Sequence, residues 1–189
     1  MIKIGILGDI GSGKSYVAKN FGYPVFSADF EVAKLYQKDK KIFYKLNKIL
    51  PKYFYSFPLK KSKVLEAILD NNQNLKKIVK IVHLEVKKKM NIFLKKHNNK
   101  KIIILDIPLL LENKINKKRD VLVFVETKQS DILKRLKKRN NFNQKLYKKF
   151  KSIQLTSKYK KKKSHFIIKN NFTKESVKKG ISYILREIL

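Results

Sequence analysis

The sequence predicts an α/β fold: one five-stranded parallel sheet flanked by helices, with an inserted helical region and a helical lid. Three observations carry this. Short apolar runs rich in Ile and Val alternate with amphipathic stretches, as in a parallel sheet covered on both faces. The glycine-rich segment Gly8-Asp9-Ile10-Gly11-Ser12-Gly13-Lys14-Ser15 lies between the first apolar run and the first helical one. Two stretches interrupt the alternation: residues 30–99 read as helix without strands, and residues 140–163 are polar and lysine-rich.

The first strand reads at 2–7, Ile2-Lys3-Ile4-Gly5-Ile6-Leu7, and a helix opens at 14–21. The segment between them fits G-x-x-x-x-G-K-[ST], so the sheet is of the P-loop NTPase type. Glycines let backbone N–H groups turn inward around a phosphate. Gly8, Gly11, Ser12, Gly13, Lys14, Ser15 and the adjoining Tyr16 are therefore candidate nucleotide-binding residues. Lys14 would reach the β- and γ-phosphates of ATP, and the Ser15 hydroxyl would hold Mg²⁺.

The second strand reads at 24–27 and ends in Ser27-Ala28-Asp29. Ligands of a parallel α/β sheet gather at the carboxyl ends of its strands. Asp29 there has two readings: a carboxylate that accepts the proton of an attacking hydroxyl, or an N-cap for the next helix. Helices follow at 29–37, 62–70 and 74–97, the last with Leu75, Ile78, Val79, Val82 and Val86 on one face. The third strand, 101–107, carries Asp106 at the end of Ile102-Ile103-Ile104-Leu105, the Walker-B arrangement that serves Mg²⁺. The fourth strand reads at 121–126, followed by a helix at 129–139 that places Arg135 and Arg139 four apart on one face. An arginine leading into a lid can neutralise a transferring phosphoryl group, and Arg139 is the stronger candidate; the alternative is a surface salt bridge. A lysine-rich helix is expected over 143–162, as mobile lid or plain surface helix, then a strand at 165–169 and a helix at 173–188 burying Val177, Ile181, Ile184, Leu185 and Ile188. The three histidines, His83, His97 and His165, have no metal-ligand spacing.

Composition bounds the rest. The formal charge is +33, yet only four of the 47 basic residues are arginines and the lysines are spread along the chain. Nucleic-acid surfaces favour the arginine fork, so a solvated lysine-biased surface is the better reading. A basic RNA-binding NTPase ranks below a small-molecule kinase. With no cysteine there is no disulfide or thiolate chemistry, and a cytoplasmic protein is expected. The first apolar run leads into the phosphate loop and does not resemble a cleavable signal. No run approaches the roughly 20 apolar residues of a membrane span.

Taken in order, these segments resemble the dephospho-CoA kinase family. Gly5 to Ser15 resembles its G-L-T-G-G-I-G-S-G-K-S, and Ser27-Ala28-Asp29 its D-A-D. Ile107-Pro108-Leu109-Leu110-Leu111-Glu112 resembles x-P-L-L-F-E. Gln154 falls at a lid glutamine with Lys160 at the family's spacing, and Ile167-Ile168-Lys169-Asn170-Asn171 resembles V-I-D-N-x. The departures are Asp9 for a glycine, Ser27 for the first aspartate, Leu84 for the proline after His83, Lys158 and Ser157 in the lid, and a shortened 50–62 region. Asp9 brings a negative charge near phosphates, so it must point outward or cost affinity. The resemblance implies transfer of the γ-phosphoryl of ATP to the ribose 3′-hydroxyl of dephospho-CoA, giving CoA and ADP; a monomer is expected. Asp29 is then the base, Lys14 and Arg139 act on the phosphates, and Asn170 lies at the adenine contacts. It also implies a single kinase domain, with core 1–29, 100–139 and 164–189, an acceptor-binding insertion 30–99 and a lid 140–163. Another P-loop nucleoside or nucleotide kinase is the alternative.

Overall fold

The computed structural model describes residues 1–140 and 142–189. It divides into two compact units, Met1–Ser27 with His97–Leu189, and Ala28–Lys96.

In the first unit, β1 (Ile2–Gly8), β2 (Val25–Ser27), β3 (Ile102–Asp106), β4 (Val121–Glu126) and β5 (Phe166–Lys169) form one sheet in the order β2-β3-β1-β4-β5. Every pairing is parallel, with Ile4 opposite both Ile104 of β3 and Val121 of β4, and Val123 opposite Phe166. Alternate residues face the two sides. On one side Ile4, Ile6, Ile102, Ile104, Val123, Val125 and Ile168 pack against Val17, Ala18 and Phe21 around α1 (Lys14–Asn20), and against Val177, Ile181 and Ile184 of α9 (Lys174–Ile188). On the other side Leu7, Ile103, Leu105, Leu122 and Phe124 are also buried, so the strands read as nearly unbroken apolar runs. Gly5 admits Leu110 here: a Cβ at position 5 would lie 2.5 Å from Leu110 Cδ2.

The helix after β4, α6 (Gln129–Lys137), ends two residues earlier than its periodicity suggests. Arg139 thus lies past the helix, and the predicted face shared with Arg135 is not formed. The single lid helix expected over 143–162 is two, α7 (Gln144–Ser152) and α8 (Ser157–Lys163). The break is a new cap: Thr156 is extended, and its side chain accepts from the Tyr159 N–H at 3.2 Å.

The second unit contains α2 (Ala28–Lys38), α3 (Lys40–Ile49), α4 (Lys61–Asp70) and α5 (Asn72–Lys96). Its core holds Leu35, Ile42, Leu46, Phe54, Val64, Ala67, Ile78, Val82 and Val86. The sequence pattern did not indicate α3, which starts where Asp39 accepts from the Ile42 N–H at 3.0 Å. On α5, Val79 is exposed and Asn74 is buried, its amide donating to the Ala67 carbonyl at 2.9 Å.

Ile104 sits mid-sheet with no solvent exposure. Ile104→Ala should lower unfolding stability by about 2–5 kcal/mol, measured by chemical denaturation; a loss below ~1 kcal/mol would contradict the packing described.

Candidate functional site

The carboxyl ends of the strands collect the polar residues that the apolar sheet excludes. Gly8 ends β1, Asp106 ends β3 opposite Ser27 of β2, Glu126 ends β4, and Asn170 follows β5. Asp106, Ser12 and Asn170 are all buried.

The glycine loop turns here. Gly11 and Gly13 have φ of 86° and 93°, a left-handed region that side-chain-bearing residues enter at a cost. Space is as restrictive as torsion: a Cβ on Gly13 would sit 2.5 Å from Asn170 Nδ2, and one on Gly11 3.0 Å from Leu136 Cγ. Gly13 caps α1 without a side-chain hydrogen bond, and the first turn of α1 has no acidic residue. The loop is clamped at Ser12, whose carbonyl accepts from Thr127 Oγ1 at 3.1 Å and Asn170 Nδ2 at 2.8 Å. The Ser12 hydroxyl is buried and has no hydrogen-bond partner among the described residues. A narrow turn of backbone N–H groups with small residues and a buried hydroxyl suits the oxygens of a phosphate.

The cations lie in distinct places. Lys14 donates to the carbonyls of Gly8 at 3.1 Å and Asp9 at 2.8 Å, folded over its own loop. The Arg135 guanidinium stacks 4.4 Å from the centroid of the Phe172 ring, and its Nη1 lies 3.8 Å from the position a Gly13 Cβ would take. Arg139, beyond α6, is exposed. Arg135 is therefore the arginine beside the loop. Asn170 spends its side chain on the fold, since its Oδ1 accepts from the Phe172 N–H at 2.9 Å.

Ser15 is exposed on the first turn of α1, and Tyr16 beside it is 37 % exposed. Among the described residues no group of three or more His, Asp or Glu side chains forms a metal cage. Mg²⁺ beside a nucleotide takes most of its ligands from phosphates and water, and one or two hard oxygens from protein. A hydroxyl such as Ser15 and a carboxylate such as Asp106 have the required chemistry. Asp29 lies in the first turn of α2, two residues beyond Ser27, rather than ahead of the helix as a cap.

Sequence reasoning gave no role to the contacts that hold α8 to the loop. Lys160 is 2 % exposed and donates to Asp9 Oδ1 at 2.8 Å, while Ser157 Oγ donates to Asp9 Oδ2 at 2.6 Å. Lys161 pairs with Glu126 at 2.6 Å. Glu112 accepts from the Leu155 N–H at 2.9 Å, which anchors the chain entering α8. The one available signal was Asp9 itself, a carboxylate in a phosphate loop that calls for a counter-ion. His165 is structural, its Nδ1 accepting from the Leu122 N–H at 2.9 Å.

Burial acts to raise the Asp9 pKa, but hydrogen bonds from Lys160 and Ser157 and the charges of Lys160 and Lys14 outweigh it, leaving it below the ordinary 3.8. A lowered carboxylate pKa contributes stability above the unfolded value and loses it as pH falls through the folded one. The melting temperature of the wild type should therefore exceed that of Asp9→Asn by a constant margin above pH 5, shrinking below pH 3.8. A margin that already fades between pH 7 and 5 would contradict the pairing.

The family model described as "Dephospho-CoA kinase" matches residues 2–175. A protein named dephospho-CoA kinase from Wolbachia sp. subsp. Brugia malayi (strain TRS) is 36% identical over 179 residues, covering 92% of this chain and 91% of the relative. One of the same name from Bartonella henselae is 31% identical over 194 residues, covering 98% and 97%. Among solved structures, TT1252 from Thermus thermophilus shares the fold with a TM-score of 0.78 at 22% identity, covering 100% of this chain and 98% of that one. The dephospho-CoA kinase from Campylobacter jejuni does so with a TM-score of 0.63 at 22% identity, covering 98% and 96%.

Proposed function

The chain belongs to the dephospho-CoA kinase family, and on that premise we propose how its own residues perform the transfer. It is a kinase that phosphorylates dephospho-CoA with ATP in coenzyme A biosynthesis. The observation that carries the site assignment is the clamped glycine loop. Its left-handed glycines, the uncapped start of α1 and the unpartnered Ser12 hydroxyl together make a receptor for phosphate oxygens.

In this reading the N–H groups of residues 11–15 hold the β- and γ-phosphates of ATP. The Lys14 ammonium exchanges the Gly8 and Asp9 carbonyls for phosphate oxygens, so it is kept beside the loop before nucleotide arrives. Asp29 accepts the proton of the ribose 3′-hydroxyl as that oxygen attacks the γ-phosphorus and the bond to ADP breaks. Ser15 and Asp106 would hold Mg²⁺, directly or through water, and the ion would supply charge neutralisation at the phosphates.

The two arginines take different parts. Arg135, stacked on Phe172 beside Gly13, serves the nucleotide side of the loop, and Arg139 acts from the exposed segment beyond α6. Asn170 works indirectly by fixing Ser12 and Phe172. The spread of lysines and scarcity of arginine keep nucleic acid outside this reading.

Purified protein with Mg-ATP and dephospho-CoA should yield CoA, detected by mass spectrometry; transfer to a nucleoside monophosphate instead would overturn the acceptor. Lys14→Ala should slow turnover by at least about a hundredfold, because one preorganised charge at the phosphates is lost. Near-normal rates would exclude the role given to it.

In the same assay Asp29→Asn should cut kcat by about a hundredfold or more while ATP affinity stays within a few-fold. A variant that only melts earlier, with kcat preserved, would make Asp29 a helix-start residue and nothing more.

A further inference from the structure

We propose that Lys160 is the resident counter-ion of Asp9 and thereby a positioning residue for nucleotide binding: it cancels a carboxylate that would otherwise neutralise Lys14 and repel the triphosphate. The proposal rests on the reading of the glycine loop as the ATP site.

The charges within the loop set the problem. Asp9 is the loop's second residue, and its own carbonyl accepts from Lys14 at 2.8 Å. With Lys14 and Asp9 alone, the mouth of the loop would carry no net charge where a polyanion must dock. Lys160 changes that balance. Its Nζ lies 2.8 Å from Asp9 Oδ1 and 3.4 Å from the Gly8 carbonyl, which also accepts from Lys14 at 3.1 Å. Two ammonium groups thus share one carbonyl, with a single carboxylate between them, and the cluster keeps one net positive charge.

Burial makes this pairing unlike the many surface lysines. The Lys160 side chain is 3% exposed and that of Asp9 25%. Loss of the lysine would leave a half-buried carboxylate without its hydrogen-bonded cation and with Lys14 as the neighbouring positive charge, a costly arrangement that water screens poorly. Ser157 Oγ, at the start of α8, donates to the second carboxylate oxygen at 2.6 Å, so both oxygens of Asp9 are held from the same helix. The helix that delivers both groups is set by the Thr156 cap and by the Glu112 contact to Leu155. An aspartate in the loop and a lysine more than a hundred residues later therefore act as one unit.

A lysine that only compensates Asp9 becomes dispensable once Asp9 is neutral, whereas a lysine that touches phosphate does not. The test is a double-mutant cycle read as the ATP dissociation constant by equilibrium dialysis, with melting temperatures for each variant. Lys160→Met should weaken ATP binding by about tenfold or more, and Lys160→Arg should stay within about threefold of the wild type. Adding Asp9→Asn to Lys160→Met should recover most of the loss. No loss in K160M, or a loss that D9N fails to relieve, overturns the proposal while leaving the kinase reading intact. A wild type that binds no ATP overturns both. If K160M does not fold, a D9N/K160M protein that folds and binds ATP supports the pairing. Failure of that double variant to fold overturns it, since neutral replacement of a buried ion pair is ordinarily tolerated.

Discussion

The carbonyl of Ser12 is the point on which the site depends. It is gripped from two directions, by Thr127 just after β4 and Asn170 just after β5. Both donors are placed by the parallel register, because β4 pairs with β1 on one side and β5 on the other. A loop that must present its N–H groups inward has to dispose of its carbonyls elsewhere, and this clamp does so. It also explains why Gly13 tolerates no side chain: the Asn170 amide occupies the place where a Cβ would go. Sheet order, strand-end chemistry and glycine content are one requirement seen at three scales.

That clamp fixes the backbone but not the charge. The chain puts a carboxylate at position 9, and answers it with Lys160 and Ser157 from α8. Catalytic sites work by holding charge in place before reaction, in surroundings drier than bulk water. Asp9 couples that charge to the helix that follows the α7–α8 break. The phosphate loop and α8 consequently cannot be considered as separate surface elements, since the hydrogen bonds described for the carboxylate of one come from the other.

Most of the frame was legible in the sequence because its signals were redundant. Each strand was a short Ile- and Val-rich run in an α/β alternation, and the glycine segment fitted both a motif and its strand-to-helix setting. Three features were hidden for physical reasons. α3 has just Ile42 and Leu46 buried among lysines, too few to stand out as an apolar stripe. The α7–α8 break depends on one side-chain cap, at Thr156, inside a stretch whose polarity is uniform. Arg135 and Arg139 share a face only if the helix continues through both, and α6 stops at Lys137. The partner of Asp9 was equally obscure: Lys160 is one of four consecutive lysines, Lys160 to Lys163, and composition does not distinguish the buried one.

This last difficulty bears on how a lysine-biased protein retains specificity. Exposed lysines at physiological salt are screened within about 8 Å and contribute little to any one ligand. A cation becomes specific when the fold removes water from it and fixes its partners. Lys160 meets that condition by burial, and Lys14 by the two loop carbonyls that hold its ammonium. Arg135 meets it differently, through the placement of its guanidinium over the Phe172 ring. The +33 charge sets a long-range attraction for polyanions, whereas Lys14, Lys160 and Arg135 are the cations whose partners the fold fixes around the glycine loop.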